Sequence, residues 1–226
     1  MQLTYYGHSC FAVLANGKKL LFDPYITPNE QAKHIDISSI QPDYILLSHG
    51  HGDHIADCIA IAQQSGCMVI CSWEIYLWLG EKGITNVHPM NAGGKKQFDF
   101  GTVKCVTAQH SSGLPDGSYG GHPLGFIVYA GNETFYYSGD TALTLDMQLI
   151  PRWASLQFAV MPIGDNFTMD VQDALTAADF IQCDTIVGVH YNTFDIIKID
   201  TEKAQADFEA AGKRLLLPRI GDTIDV

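Results

Sequence analysis

Residues 44–54 read YILLSHGHGDH, and the rest of the chain is organised around them. Residues 44–48 have the short apolar pattern of a buried strand, and four candidate metal ligands follow within the next six positions: His49, His51, Asp53 and His54. Asp53 is placed to cap a helix that runs to about Gln64, with Gly66 after its end. The cluster is therefore predicted to lie in a strand-to-helix turn at the carboxyl end of a strand, where open α/β sheets place their sites.

The same arrangement, an apolar strand followed at once by a group with ligand chemistry, recurs along the chain. The further groups that follow such strands are His8 after LTYY, Asp23 after KLLF, His110 after VKCVTAQ, Asp140 after TFYYSG and His190 after TIVGV. If these strands end at a common edge, their terminal side chains converge there. We therefore expect one site built from distant parts of the sequence.

The spacing H-x-H-x-D-H predicts two metal sites. His49 and His51 are two residues apart, so an extended turn directs both to one cation, whereas Asp53 and His54 follow the bend and face a second one. Metals in such pairs lie roughly 3.5–4 Å apart and can share a hydroxide. Imidazole and carboxylate suit zinc, iron, manganese or nickel. The candidates that could complete the two ligand sets are His110, Asp140 and His190.

With this motif, further stretches make nearly the whole chain resemble the metallo-β-lactamase superfamily. These stretches are YYGHSCF, LLFDPYI, TAQHSSGLPDGSYGG, YYSGDTAL, MPIGDNFTM and GVHYNTF. The resemblance is closest to the metal-dependent hydrolase branch of bacteria and archaea, and the chain is more distantly similar to L-ascorbate-6-phosphate lactonase. It implies an α+β fold, a four-layer αββα sandwich forming a single domain over residues 1–226, with the metals at one edge of its two sheets.

The resemblance also implies a ligand assignment. His49, His51 and His110 would bind one metal, Asp53, His54 and His190 the other, and Asp140 would bridge them. Asp23 is interpreted as an orienting group. The expected cofactor is two divalent metal ions per chain, with zinc the first choice and manganese, iron and nickel left open.

The expected activity is hydrolysis of an ester, lactone or phosphodiester bond of a small molecule by a hydroxide that bridges the two metals. Asp53 would orient the nucleophile and later carry a proton. His8 is a candidate for substrate contact or general acid, and the alternative is a supporting hydrogen bond, with Asp23 as its partner. Two other functions stay open: a mononuclear iron dioxygenase of the persulfide dioxygenase type on the same fold, and a non-catalytic metal-binding module.

Two residues are predicted to bind substrate. Tyr191 follows a candidate ligand directly, and its alternative is packing under the loop. Asn166 lies in GDNFTM, where the sequence departs from the family pattern. Phe167 and Met169 in the same loop are placed either to wall the cleft or to belong to the core. The loops expected to determine the substrate are 24–42, 111–123 and 163–169.

Composition limits the partners. A net charge of −12 provides no basic footprint for nucleic-acid binding, whereas a metal pair would make the pocket locally positive and compatible with an anionic substrate. No apolar run approaches the roughly 20 residues of a membrane helix, and the first residues lack a signal-peptide pattern. The six cysteines form no CxxC pair. We therefore expect a cytoplasmic protein with reduced cysteines. A homo-oligomer is left open.

Capping and turn residues predict several further elements. Ser72 can cap a helix to about Leu79, and Asp170 can cap one to about Ile181. Gly131-Asn132 predicts a hairpin turn. A helix is expected over 142–150. The long connection 24–42 is either functional or contains a short helix.

Overall fold

Two mixed seven-stranded sheets form the centre of the computed structural model, which describes all 226 residues. The strands of the first sheet are β1 (Gln2–Gly7), β2 (Cys10–Ala15), β3 (Lys18–Phe22), β4 (Tyr44–Leu46), β5 (Met68–Ser72), β6 (Val87–Met90) and β14 (Thr223–Asp225). Those of the second are β7 (Lys95–Gln97), β8 (Thr102–Thr107), β9 (Leu124–Ala130), β10 (Glu133–Tyr137), β11 (Phe158–Pro162), β12 (Thr185–Val189) and β13 (Arg214–Leu216).

Each sheet is half antiparallel and half parallel. The order in the first sheet is β14-β1-β2-β3-β4-β5-β6, antiparallel up to β3 and parallel from β3 onward. The second sheet has the order β13-β12-β11-β10-β9-β8-β7, parallel up to β10 and antiparallel beyond it. In the first sheet β1, β3 and β4, and in the second β8, β10 and β12, precede candidate ligands and run in the same direction within their sheet, so their carboxyl ends lie at one edge of that sheet.

Helices cover the outer faces of the two sheets. The α-helices are α1 (Gly52–Ile55), α2 (Cys58–Ser65), α3 (Trp73–Glu81), α4 (Val171–Phe180) and α5 (Thr201–Ala210), and the 3-10 segments are Glu30–Ala32, Ile37–Ser39, Leu145–Arg152 and Asp195–Ile197. The longest α-helices have ten residues, and none of the helices has the length and hydropathy of a membrane-spanning segment.

Three clusters of buried apolar side chains lie between the four layers of the fold. The central cluster of 23 buried residues lies between the sheets and includes stacked aromatic rings such as Phe11 and Phe22, whose centroids are 4.6 Å apart. Because successive strand side chains point to opposite faces, the other residues of the same strands pack outward, in clusters of 19 and 18 residues against the two helical layers. The αββα sandwich is thus confirmed.

Several short-range predictions are confirmed. The Ile75 N–H donates to the Ser72 hydroxyl oxygen at the start of α3, and the Asp173 N–H donates to the Asp170 carboxylate at the start of α4. Strands β9 and β10 pair as a hairpin across residues 131–132. The 24–42 connection contains two short 3-10 segments.

The predicted helix from Asp53 to Gln64 is wrong in its start and its continuity. His51 is the capping residue of α1, and Asp53 lies inside the first turn. The helix is interrupted at Asp57, which separates α1 from α2. The Asp57 carboxylate accepts hydrogen bonds from the backbone N–H groups of Ile26 and Thr27, at 2.6 and 2.9 Å. This residue therefore anchors the connection that follows Asp23.

The predicted helix over 142–150 is a 3-10 segment, Leu145–Arg152. It starts late because Ala142 is tied to the loop before His110, with its N–H donating to the carbonyl of Gln109 at 3.1 Å. It contains Pro151, which has no N–H to donate to a helix. Strand β14, which pairs with the edge strand β1, was not expected from the sequence.

Candidate metal centre

The candidate ligands leave the strands of both sheets at one edge, and the backbone bends sharply where they do. His8, Asp23 and His190, which follow β1, β3 and β12, have φ angles of 55°, 42° and 55°. Left-handed backbone costs a residue with a Cβ roughly 1–2 kcal/mol, and such strain is concentrated at functional sites. The N–H of His190 donates to the carbonyl of His8 at 3.0 Å, which joins the two sheets behind the site.

Three histidines form the first ligand set. The ring nitrogens of His49, His51 and His110 lie within 4.8 Å of one another, and His49 Nε2 is 3.0 Å from His51 Nδ1. Burial lowers the pKa of all three imidazoles, helped by the neighbouring histidines. Neutral imidazoles that converge in this way present lone pairs to a common point.

The second set contains one carboxylate. Asp53, His54 and His190, together with His8, have ligand atoms within 4.8 Å of one another. His190 Nε2 is 4.0 Å from Asp53 Oδ2. The Asp53 side chain is 29% exposed, whereas those of His54 and His190 are 0% and 3% exposed. Asp53 is therefore the member of this set that faces the cleft.

Asp140 lies between the two sets. Its Oδ2 is 3.0 Å from His190 Nε2, 3.1 Å from His54 Nε2, 3.7 Å from His110 Nε2 and 4.0 Å from His49 Nε2. Burial alone would raise the pKa of Asp140, but His190 and His54 hold it well below the usual value. A single carboxylate oxygen thus reaches residues of both sets.

The residues present fit bound cations. His54 Nε2 and Asp140 Oδ1 are buried without a hydrogen-bond partner, although His54 Nε2 is close to Asp140 Oδ2. Orphaned buried polar atoms cost about 1–3 kcal/mol each, and a cation between them would remove that cost. The donors are imidazole and carboxylate groups, which suit divalent transition metals.

Asp23 lies behind His54 and is fully buried. Its Oδ2 is 2.8 Å from His54 Nδ1 and accepts from the hydroxyls of Tyr137, at 2.6 Å, and Ser48, while its Oδ1 accepts from the Ser48 N–H at 2.8 Å. Asp23 is also within 4.8 Å of His49 and His54 ligand atoms. Because both of its oxygens are already taken by hydrogen bonds, we assign it the orientation of His54, with Nε2 directed into the centre.

His8 does not contact Asp23 as the alternative interpretation expected. Its Nε2 is 3.1 Å from Asp53 Oδ2, and its Nδ1 is 3.0 Å from the Thr193 hydroxyl. Burial lowers the pKa of His8 to about 4, against the opposing effect of Asp53, so the ring is neutral. A carboxylate only accepts, so the network places the proton on Nε2, donating to Asp53.

Neither of the predicted substrate residues forms a hydrogen bond with a candidate ligand. Tyr191 packs against the cluster on the outer face of the second sheet, and the cavity that it lines contains no candidate ligand. Asn166 is exposed, and its N–H donates to the neighbouring Asp165 carboxylate. Phe167 is 54% exposed, whereas Met169 is fully buried in the outer core rather than in the cleft. Tyr191 thus makes the packing contacts of its alternative, and substrate contact by Tyr191 or Asn166 stays a prediction.

Sequence reasoning missed the aromatic residues next to His8. The rings of Tyr25 and Phe194 have centroids 5.5 and 5.4 Å from that of His8, and 6.4 Å from each other. Their positions in the sequence could have indicated a place at the site, because Tyr25 comes two residues after Asp23, and Thr193 and Phe194 come just after His190. These side chains border the centre on the side of Asp53.

A second open cavity, of about 510 Å³, adjoins the first ligand set. It is formed by His110 and the loop that follows it, and its lining is mostly polar: Ser111, Ser112, Ser118, Tyr119 and His122, with glycines and Pro123. The Ser111 hydroxyl is 3.2 Å from His51 Nε2. His122 therefore lines space next to a candidate ligand.

Comparison with known proteins identifies the family of the chain. The model of the beta-lactamase superfamily domain matches residues 18–191. A UPF0173 metal-dependent hydrolase of Flavobacterium johnsoniae is 48% identical over 226 residues, which is 100% of both chains. The chain therefore belongs to the metallo-β-lactamase superfamily and, within it, to the UPF0173 metal-dependent hydrolases.

Solved structures show the same fold. Igni18, a metallo hydrolase from the archaeon Ignicoccus hospitalis, is 32% identical with a TM-score of 0.89, covering 99% of this chain and 97% of that one. An isothiocyanate hydrolase from Delia radicum gut bacteria has a TM-score of 0.80 at 19% identity, covering 100% and 99% of the two chains. At that identity the likeness concerns the fold alone.

Proposed function

We propose that the chain is a binuclear metal hydrolase that cleaves an ester, lactone or phosphodiester bond of a small polar molecule. The observation that carries the proposal is the position of Asp140, whose Oδ2 reaches His190 and His54 of one ligand set and approaches His110 and His49 of the other. A three-histidine set and a set with one carboxylate, joined by a shared carboxylate, match the needs of two adjacent divalent cations.

When bound, such cations supply Lewis acidity and lower the pKa of water towards about 7. The contribution of the chain is orientation and proton transfer. Asp53 is the exposed carboxylate of its set and lies where it can accept a proton from the attacking water and later pass it to the leaving group. His8 donates its Nε2–H to Asp53, and we assign it the positioning of that carboxylate.

The side chains on the two sides of the metal centre favour a polar substrate that has one apolar part. On the side of His110, hydroxyl groups and His122 line the open cavity, where they can hydrogen-bond a polar or anionic group. On the side of His8, Tyr25 and Phe194 offer aromatic faces, and Phe194 is 38% exposed. We propose that the scissile bond lies between these two borders.

The cysteines support a reducing compartment. All six are free and buried, and burial raises the pKa of each thiol. Structural disulfides are rare in the cytosol, so we propose that the protein works in the cytoplasm.

A metal count with an activity screen tests the proposal. We expect two metal ions per chain by elemental analysis and turnover of a generic lactone, ester or phosphodiester. Asp140→Ala should lower the count below two and remove turnover, whereas Asp146→Ala, at an exposed carboxylate six residues further on, should change neither. One iron per chain with oxygen consumption would support the dioxygenase instead, and metal binding without any turnover would support a non-catalytic module.

A further inference from the structure

A separate cavity of about 290 Å³ lies between the outer face of the second sheet and the 3-10 segment Leu145–Arg152, and it contains none of the candidate ligands. Its walls are largely apolar and include Val106, Tyr136, Met147, Ile150 and Trp153. Small-molecule sites have this character: apolar walls with a few placed polar groups.

One polar group inside the cavity has no partner in the protein. Tyr136 is 1% exposed, and its hydroxyl makes no hydrogen bond, so burial alone raises its pKa. Its ring leans over Gly125, with Cε2 only 3.1 Å from where a Cβ would lie, and Gly125 pairs with Val106 on β8. The hydroxyl is not one of the fully enclosed polar atoms that lack a partner, so it is accessible from the cavity, where it can donate to a bound acceptor.

Two lysines lie at the same face of the sheet. Lys104 and Lys95 are directly opposite each other in the β7–β8 ladder, a placement that is destabilising for like charges. Neither forms an ion pair. Lys104 Nζ lies 4.4 Å from the centre of the Trp153 ring, and Lys95 Nζ lies 5.2 Å from that of Tyr129. In a chain with a net charge of −12, two unpaired cations beside an apolar cavity favour an anion.

The register connects the two polar features. Lys104 pairs with Ile127, and Ile127 pairs with Tyr136, so the lysine and the tyrosine lie in one row across three strands. We propose that this cavity binds a small amphiphilic monocarboxylate, whose carboxylate accepts from Tyr136 and pairs with Lys104. Its apolar body lies against Met147, Ile150 and Trp153. The exposed Asp146 also lines the cavity and disfavours a dianion.

Titration of the full-length, metal-loaded protein with octanoate tests this site, with 1-octanol as the uncharged probe of similar shape. The readout is the methyl resonance of Met147 in protein carrying ¹³C-methyl methionine. We expect a saturable shift of Met147 with octanoate. Met169, buried in the same cluster but outside the cavity, serves as the reference and should not move.

The variants separate charge recognition from simple apolar binding. Lys104→Gln and Tyr136→Phe should each weaken octanoate binding by at least about fivefold, since hydrogen bonds to a charged group are the strong ones. Lys104→Gln should leave 1-octanol binding unchanged, and Lys96→Gln, on the opposite face of β7, should leave octanoate binding unchanged.

Three results would overturn the proposal: no saturable Met147 shift, equal affinity for 1-octanol and octanoate, or octanoate affinity that neither variant lowers. If octanoate bound at the metal centre instead, neither variant would lower its affinity, because Lys104 and Tyr136 line the separate cavity. Loss of octanoate binding to the cavity would leave the hydrolase proposal unaffected.

Discussion

Replacing Asp23 by Asn tests how the second ligand set is oriented. The Asp23 carboxylate accepts from four donors: His54 Nδ1–H, the Tyr137 and Ser48 hydroxyls, and the Ser48 N–H. The amide of the variant has the same size, so it leaves no cavity. It has only one accepting atom, however, and its nitrogen faces donors. The imidazole of His54 therefore loses a charged partner that sets its tautomer and direction.

The size of the effect follows from this role. Losing the partner that orients a ligand histidine costs about 10–100-fold in metal affinity, or about 1.4–2.7 kcal/mol. Part of this loss is offset at neutral pH. Asp140 and Asp23 hold the pKa of His54 well above its usual value although burial opposes this, so the variant also removes competition from a proton. The titration is therefore made at both pH 7 and pH 8.5, and the loss of metal affinity at one pH is compared with the loss at the other.

The assay is competition for zinc between the metal-free protein and a chromophoric chelator, which resolves two binding steps. We expect the step that involves His54 to weaken by about 10–100-fold, more at pH 8.5 than at pH 7. The step at His49, His51 and His110 should change little. Asp43→Asn is the matched control, because Asp43 is bound to Lys18 and the Lys19 N–H at the start of β4, with a side chain 38% exposed.

Two outcomes would refute the reasoning. If Asp23→Asn leaves both steps unchanged at both values of pH, Asp23 does not orient His54. If it weakens both steps equally while the melting temperature falls, the residue supports the edge of the sheets as a whole. A similar loss in Asp43→Asn would show that the effect is not specific to the centre.

Three further predictions concern the same site. Asp53→Asn should lower kcat by about 10²–10⁴-fold while circular dichroism stays unchanged, and undiminished turnover would contradict the role of Asp53. Gly164→Ala should lower the free energy of unfolding by about 1–3 kcal/mol, because the new Cβ would lie 2.0 Å from the carbonyl oxygen of His190. Denaturant unfolding measures this. Gly80→Ala in α3, where nothing lies within 4 Å of the new Cβ, is the control and should not destabilise the protein. Metal binding should release protons, because the pKa of His54 is raised in the metal-free protein, and affinity should therefore rise with pH until that pKa is passed. Calorimetric heats that do not depend on the ionisation enthalpy of the buffer would contradict this.

Short-range signals in the sequence determined most elements of the fold. Ser72 and Asp170 mark helix starts because a capping side chain reaches only two or three residues along the chain. The candidate ligands stand after apolar strands, and a strand followed by a turn is also a local pattern. The predicted helix from Asp53 failed for a tertiary reason, since Asp57 instead uses its carboxylate for the backbone of Ile26 and Thr27.

Only the tertiary structure decided how these residues meet. Asp140 reaches both ligand sets because the residues after β10 of one sheet lie against those after β4 of the other, with Gly139 next to Ser48. No local pattern contains that relation. The partners of His8, Asp53 and Thr193, are 45 and 185 residues away, and the side chains of Tyr191 and Met169 face the outer core although their neighbours approach the site. A sequence pattern states which chemistry is available at a strand end, whereas the packing of two sheets determines the direction and distance at which each side chain is presented.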